Sequence, residues 1–132
     1  ILKRPPYDLL GEQAEDVTPV AGPQDILDMR AAARSVRVED KIYDYVAAMT
    51  RATRESQHVM LGASPRASQC LLLCSQVTAA LAGRDFITPD DVKEMALPVL
   101  RHRVILRPDA EIEGITPDRV IADTIAQIQV PR

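Results

Sequence analysis

The sequence has 132 residues, 46% hydrophobic and only 3% aromatic, with a formal net charge of -3. That length bounds one compact domain, and an interior built from Leu, Val, Ile, Met and Ala favours packed helices over a sheet sandwich. The acidic balance argues against a nucleic-acid backbone as the main partner, and the lack of an apolar run near ~18 residues or of an apolar leader points to a cytoplasmic protein.

The chain begins with Ile1 and not Met, which suggests excision from a longer polypeptide. Pro5, Pro6, Pro19, Pro23, Gly11 and Gly22 crowd its start, a density that forbids long helices and predicts a linker or hinge over residues 1–22. A single helical domain is expected over residues 23–132. Its first helix starts at Pro23 and ends near Ser35, with Ile26, Met29, Arg30 and Ala33 on one side. "VRV" at 36–38 alternates like a very short strand. Residues 39–55 then form an amphipathic helix with Ile42, Val46, Met49 and Thr53 on one stripe and Lys41, Asp44 and Arg51 off it.

"ESQHVMLGA" breaks that period, contains Gly62 and reads as a loop. It leads to Ser64 as N-cap, Pro65 at the first helical position and Arg66 in the first turn. The helix over residues 65–82 is the most apolar in the chain, and its expected inward stripe is Ala67, Cys70, Leu71, Cys74, Val77, Thr78 and Leu81. Gly83 should stop it, since glycine readily takes positive φ. Phe86 and Ile87 read as a second short extended piece that feeds a helix capped by Thr88, with Pro89 first and Asp91 third. Val92, Met95, Ala96, Val99 and Leu100 keep helical spacing through Pro98, where a kink is expected. "RPDAEIEGI" reads as a surface connection. Thr116 and Pro117 repeat the capping device before Val120, Ile121, Thr124, Ile125 and Ile128. The expected fold is an all-α bundle of about five helices, with "VRV" and "FIT" free to pair as a minimal two-stranded ladder.

Cys70 and Cys74 lie four apart on an apolar helix and read as small hydrophobes; with His58 and His102 at no ligand spacing, no metal site is expected. The chemistry concentrates at "GASPRA". An arginine in a first helical turn, after a glycine-containing loop, projects its guanidinium beside the free N–H groups of the helix end, and together they suit an anion. The plainer alternative is a solvated surface arginine. Arg54, beside Arg51, ends a helix, where a cation complements the dipole, or it lines an interface. Arg101, His102, Arg103 and Arg107 form the most basic stretch, which reads either as a solvated helix end or as a docking surface.

The chain holds no G-x-x-x-x-G-K-[ST] loop and no strand ending in paired acids, so by itself it cannot assemble a site for nucleoside triphosphate hydrolysis. Nor does it hold a serine elbow, a HExxH helix or a cysteine with a histidine partner. Two other classes of reading stay open on the residues alone. One is a small helical nucleic-acid-binding domain, since "ITPDDV" also precedes helices in histone-like folds. The other is an oligomerisation or adaptor module.

In order along the chain, "YVAAMTRATR", "LGASPRA", "AALAGRDFITPDDV", "LRHR" and a late "VPR" closely resemble the lid domain of MoxR-family AAA+ ATPases over residues 36–132. The magnesium chelatase ATPase subunit, of the same helix-2-insert clade, shares the G-R-x-x-x-T-x-x-D-V stretch, and "GASPRA" favours MoxR. The resemblance implies that Arg66 is the sensor-2 arginine, with Gly62, Ser64 and Pro65 shaping its loop, and that Arg54, Arg101 and Arg103 are candidates for an interface. It implies ATP and Mg2+ bound mainly by an α/β core outside this sequence, with neither held by this chain alone. It also implies a ring, usually hexameric, built with that core and neighbouring subunits. A chaperone-like role follows from the same resemblance, often on proteins with von Willebrand factor A domains, with no membrane and no nucleic acid as partner.

Overall fold

A computed structural model describes residues 18–131, so the connector expected over 1–22 lies, up to residue 17, outside the described residues. The chain divides into two units, Ile1–Arg30 and Ala31–Arg132. Helix α1 (Pro23–Ser35) begins in the first unit, where Asp25 accepts a hydrogen bond from the Gly22 amide at 2.7 Å. Of the residues placed on one side of this helix, Ala33 is buried, whereas Ile26 and Met29 are exposed.

The second unit is a helical bundle. After α2 (Asp40–Glu55) and strand β1 (Val59–Leu61) come α3 (Pro65–Leu81) and α4 (Pro89–Leu100), then β2 (Ile105–Leu106), α5 (Pro108–Ile112) and α6 (Pro117–Gln127). Helices α2, α3, α4 and α6 close around one core whose largest fully buried side chains are Ile42, Met49, Leu71, Leu100 and Ile121. The stripe expected on α2 is the buried one, Ile42, Val46, Met49 and Thr53, and Tyr45 and Thr50 join it. Buried serine and threonine hydroxyls are satisfied within their own helices, Thr50 donating to the Val46 carbonyl at 3.1 Å, Ser75 to Leu71 at 2.9 Å and Thr124 to Val120 at 2.7 Å, whereas the buried Tyr45 hydroxyl finds no partner among the described residues. A polar atom so paired enters a core without the cost of an unmet hydrogen bond.

The α3 stripe departs from expectation. Its buried spine is Ala67, Leu71, Ser75 and Ala79, spaced four apart and small at three of the four positions, and α4 packs along α3. Cys70 and Cys74 are half-buried, whereas Val77 and Leu81 lie exposed on the outward side. A helix that is apolar on every side gives no hydrophobic direction, so side-chain size decides which face packs. Gly83 ends the helix at φ 72, with the Arg84 amide reaching back to the Ala79 carbonyl at 2.9 Å.

Two tiny extended segments do meet near "VRV" and "FIT", but as a single parallel bridge between Arg37 and Phe86. The named ladder lies elsewhere: β1 pairs antiparallel with β2, Val59 opposite Leu106 and Leu61 opposite Ile105, across an irregular register. Part of the segment read as a loop is therefore strand β1, and the connection read as irregular contains the short helix α5, which raises the helices from about five to six among the described residues. Helix α4 runs through Pro98 to Leu100. No helix of the described residues is long and apolar enough to cross a membrane.

Candidate functional site

The start of α3 is held by α2. The Ala63 amide donates to Thr53 Oγ1 at 2.9 Å, and Thr50 Oγ1 lies 2.9 Å from Ser68 Oγ, so the loop before α3 and its first turn are pinned to the last turns of α2. Gly62 completes the contact. A Cβ there would stand 2.6 Å from Arg54 Cγ and 2.7 Å from Arg54 Cα, too close for any side chain. Gly62→Ala should therefore destabilise the bundle by about 1 to 3 kcal/mol, the usual range for overpacking. Thermal unfolding of the two proteins measures this, and equal midpoints would refute the close approach.

From this anchored loop Ser64 enters α3 with N-cap backbone angles, φ -79 and ψ 165, and Pro65 takes the first turn as expected. The Ser64 hydroxyl, however, makes no capping bond; its carbonyl instead accepts from the Ala67 amide at 2.8 Å. The helix mouth thus lacks a side-chain cap. Arg66 is exposed there, and its guanidinium makes no hydrogen bond or ion pair to any described residue.

The remaining candidates separate into two groups. Arg54 is exposed at the end of α2, with the Gly62 backbone packed against it. Arg103, half-buried, donates from Nε to His102 Nε2 at 3.0 Å and from Nη2 to Cys70 Sγ at 3.7 Å, one turn along α3 from Arg66. Arg54, Arg66 and Arg103 are thereby tied to the first half of α3 or to its leading loop. Arg101 points elsewhere and pairs with Asp118 of α6 at 2.7 Å, which makes it a strut between α4 and α6. Burial pushes the Cys74 thiol up, and the adjacent Cys70 adds to the effect, so Cys74 stays protonated at neutral pH.

One constellation escaped the sequence reading. Asp91, expected only as the third residue of α4, accepts from Arg84 at 2.8 Å, from the Thr88 amide at 2.7 Å and from the Thr88 hydroxyl at 2.8 Å. Thr88 and Asp91 form a capping box, to which Arg84 is added from the loop after α3. The G-R-x-x-x-T-x-x-D spacing was the available signal. It locks the α3–α4 corner, so its role is architectural.

The sequence matches the AAA lid domain family over residues 51–124. The protein YeaC of Bacillus subtilis is 33% identical over 117 residues, which cover 89% of this chain and 37% of YeaC. The chaperone MoxR1 of Mycobacterium tuberculosis is also 33% identical over 117 residues, covering 82% of this chain and 31% of its own length. The crystal structure of a protein assigned as an ATPase from Cytophaga hutchinsonii superposes with a TM-score of 0.78 at 28% identity, over 83% of this chain and 36% of that one. This chain thus spans about a third of the length of the relatives it matches. A helical bundle of this topology, the family match across its centre and MoxR relatives at this identity lead to one assignment: the chain belongs to the AAA lid domain family and is a lid of the MoxR type.

Proposed function

We propose that this chain is the nucleotide-sensing lid of a MoxR-type AAA+ ATPase, with Arg66 as its sensor-2 arginine. The observation that carries the reading is an exposed guanidinium, unpaired among the described residues, in the first turn of a helix whose start is pinned by Thr53 and Gly62. A cation fixed in direction and lacking an internal acid is suited to a ligand on another module. In this reading residues 23–132 are the lid and residues 1–22 the hinge to an α/β core, which holds ATP and Mg2+. Gly62, Ser64 and Pro65 aim Arg66, whereas Arg54 and Arg103 border the surface that meets the core or a neighbouring subunit.

The bound nucleotide supplies a terminal phosphate, and this chain's part is to bind it through Arg66 and to move as a rigid bundle. Charge-assisted hydrogen bonds of this kind are worth about 1.5 to 3 kcal/mol, or one to two decades in a lid equilibrium. In this reading the complete protein is a cytoplasmic hexameric ring that couples that movement to the activation of partner proteins, those with von Willebrand factor A domains among them. By itself the chain should bind ATP no tighter than roughly millimolar, because one arginine and a helix end cannot offset the cost of ordering the ligand. Calorimetric titration of the chain tests this, and submicromolar binding would mark it as a self-contained nucleotide-binding domain and defeat the proposal.

A further inference from the structure

Cys70 and Cys74 are free thiols one turn apart on α3, half-buried where that helix packs against the core. Side chains four apart on a helix stand about 5 to 6 Å from one another at Cβ. That is too wide for a disulfide, whose Cβ atoms approach to about 3.5 to 4.5 Å. It does suit two sulfurs on opposite sides of one ion, each at a metal–thiolate bond of about 2.3 Å. The two groups are close enough to feel each other, since Cys70 adds to the upward push that burial gives the Cys74 thiol. Arg103 completes the arrangement: Nη2 donates to Cys70 Sγ at 3.7 Å while Nε donates to His102 Nε2 at 3.0 Å, so a half-buried guanidinium is fixed beside the thiol pair.

The ligand count selects the ion. Among the described residues no group of three or more His, Cys, Asp or Glu side chains is placed to hold a metal. Structural zinc takes four ligands, and calcium and magnesium take oxygen, so none of these fits a bare pair of thiolates. Soft sulfur ligands select Cu(I), a closed-shell ion that is satisfied by two thiolates in line. The charge agrees. Two thiols release two protons to solvent as the monovalent ion binds, and the resulting bis-thiolate complex carries one net negative charge. In a half-buried position that charge is costly when unpaired, and the Arg103 guanidinium offsets it.

The geometry points to a site for one Cu(I) ion held between Cys70 and Cys74 on α3, with Arg103 as the positioning residue that neutralises the complex. The site is independent of the nucleotide reading of Arg66. Anaerobic competition against a chromophoric Cu(I) chelator tests it, using the complete protein and its Cys70→Ser, Cys74→Ser and Arg103→Ala variants, with circular dichroism as the check on folding. Wild type should withdraw one Cu(I) per chain more than either serine variant. Arg103→Ala should keep that stoichiometry but weaken the affinity by roughly ten- to a hundredfold, the usual cost of removing an outer partner of a metal site, and Arg103→Lys should restore most of it. On the unmutated protein, one equivalent of Cu(I) should shield Cys70 and Cys74 together from alkylation by iodoacetamide, read by mass spectrometry. Equal uptake by wild type and both serine variants, one ion shared between two chains, or alkylation of the two thiols unaffected by Cu(I) would overturn the site. An unchanged affinity in Arg103→Ala would overturn the part given to the guanidinium.

Discussion

Replacement of Arg66 by alanine in the complete ATPase is expected to slow ATP turnover by roughly ten- to a hundredfold, the equivalent of losing one set of charge-assisted hydrogen bonds. The lid should remain folded, because the Arg66 side chain is exposed and makes no bond to any described residue. Arg66→Lys should fall between the two proteins: it keeps the charge but loses the planar fork that binds two phosphate oxygens at once. Steady-state turnover, with circular dichroism as the check on folding, measures both effects. A wild-type rate in the alanine protein would remove Arg66 from the nucleotide response.

The largest loss of stability should come from Asp91→Ala. Asp91 is 4% exposed, and its carboxylate joins the loop after α3 to the first turn of α4 through Arg84 and Thr88. Burial alone pushes this carboxyl up, but the Arg84 guanidinium and the two Thr88 donors outweigh it and hold the acid below its ordinary value of 3.8. Removing the side chain breaks the capping box and the pair together, at a cost of about 3 kcal/mol. For a domain of this size that lowers the melting temperature by roughly 10 to 20 °C. The same geometry fixes a sign with pH. A carboxyl whose folded pKa is lowered contributes stability that is complete above the unfolded value and is lost as pH falls through the folded one. Wild type should therefore lose stability below about pH 4 more steeply than Asp91→Asn. A melting point within two or three degrees of wild type for Asp91→Ala, or identical acid limbs for wild type and Asp91→Asn, would show that the corner is held by other contacts.

Where local chemistry settles the structure, the sequence was readable. The Thr88 and Thr116 caps, the proline after each and the stripe on α2 place α2, α4 and α6 where they are found, because these signals act within a turn or two of the chain. Strand β1 was missed for the opposite reason: three residues have no visible period, and their partner β2 lies far along the chain. The packed face of α3 was misread in part because Val77 and Leu81 look like core, while Ser75 and Ala79 join Ala67 and Leu71 in occupying it. The place of Arg66 in a first helical turn was legible from "SPRA", a proline and an arginine opening a helix. Its anchoring was not, since the bond from the Ala63 amide to Thr53 joins residues on different elements.

In the proposed role, Arg66 distinguishes a nucleotide with a terminal phosphate from one without. The ratio of Kd for ADP to Kd for a non-hydrolysable ATP analogue, measured for the complete wild-type protein and for Arg66→Ala, tests it most directly. The ratio should fall at least tenfold in the variant, mostly through weaker binding of the triphosphate. An unchanged ratio would contradict it.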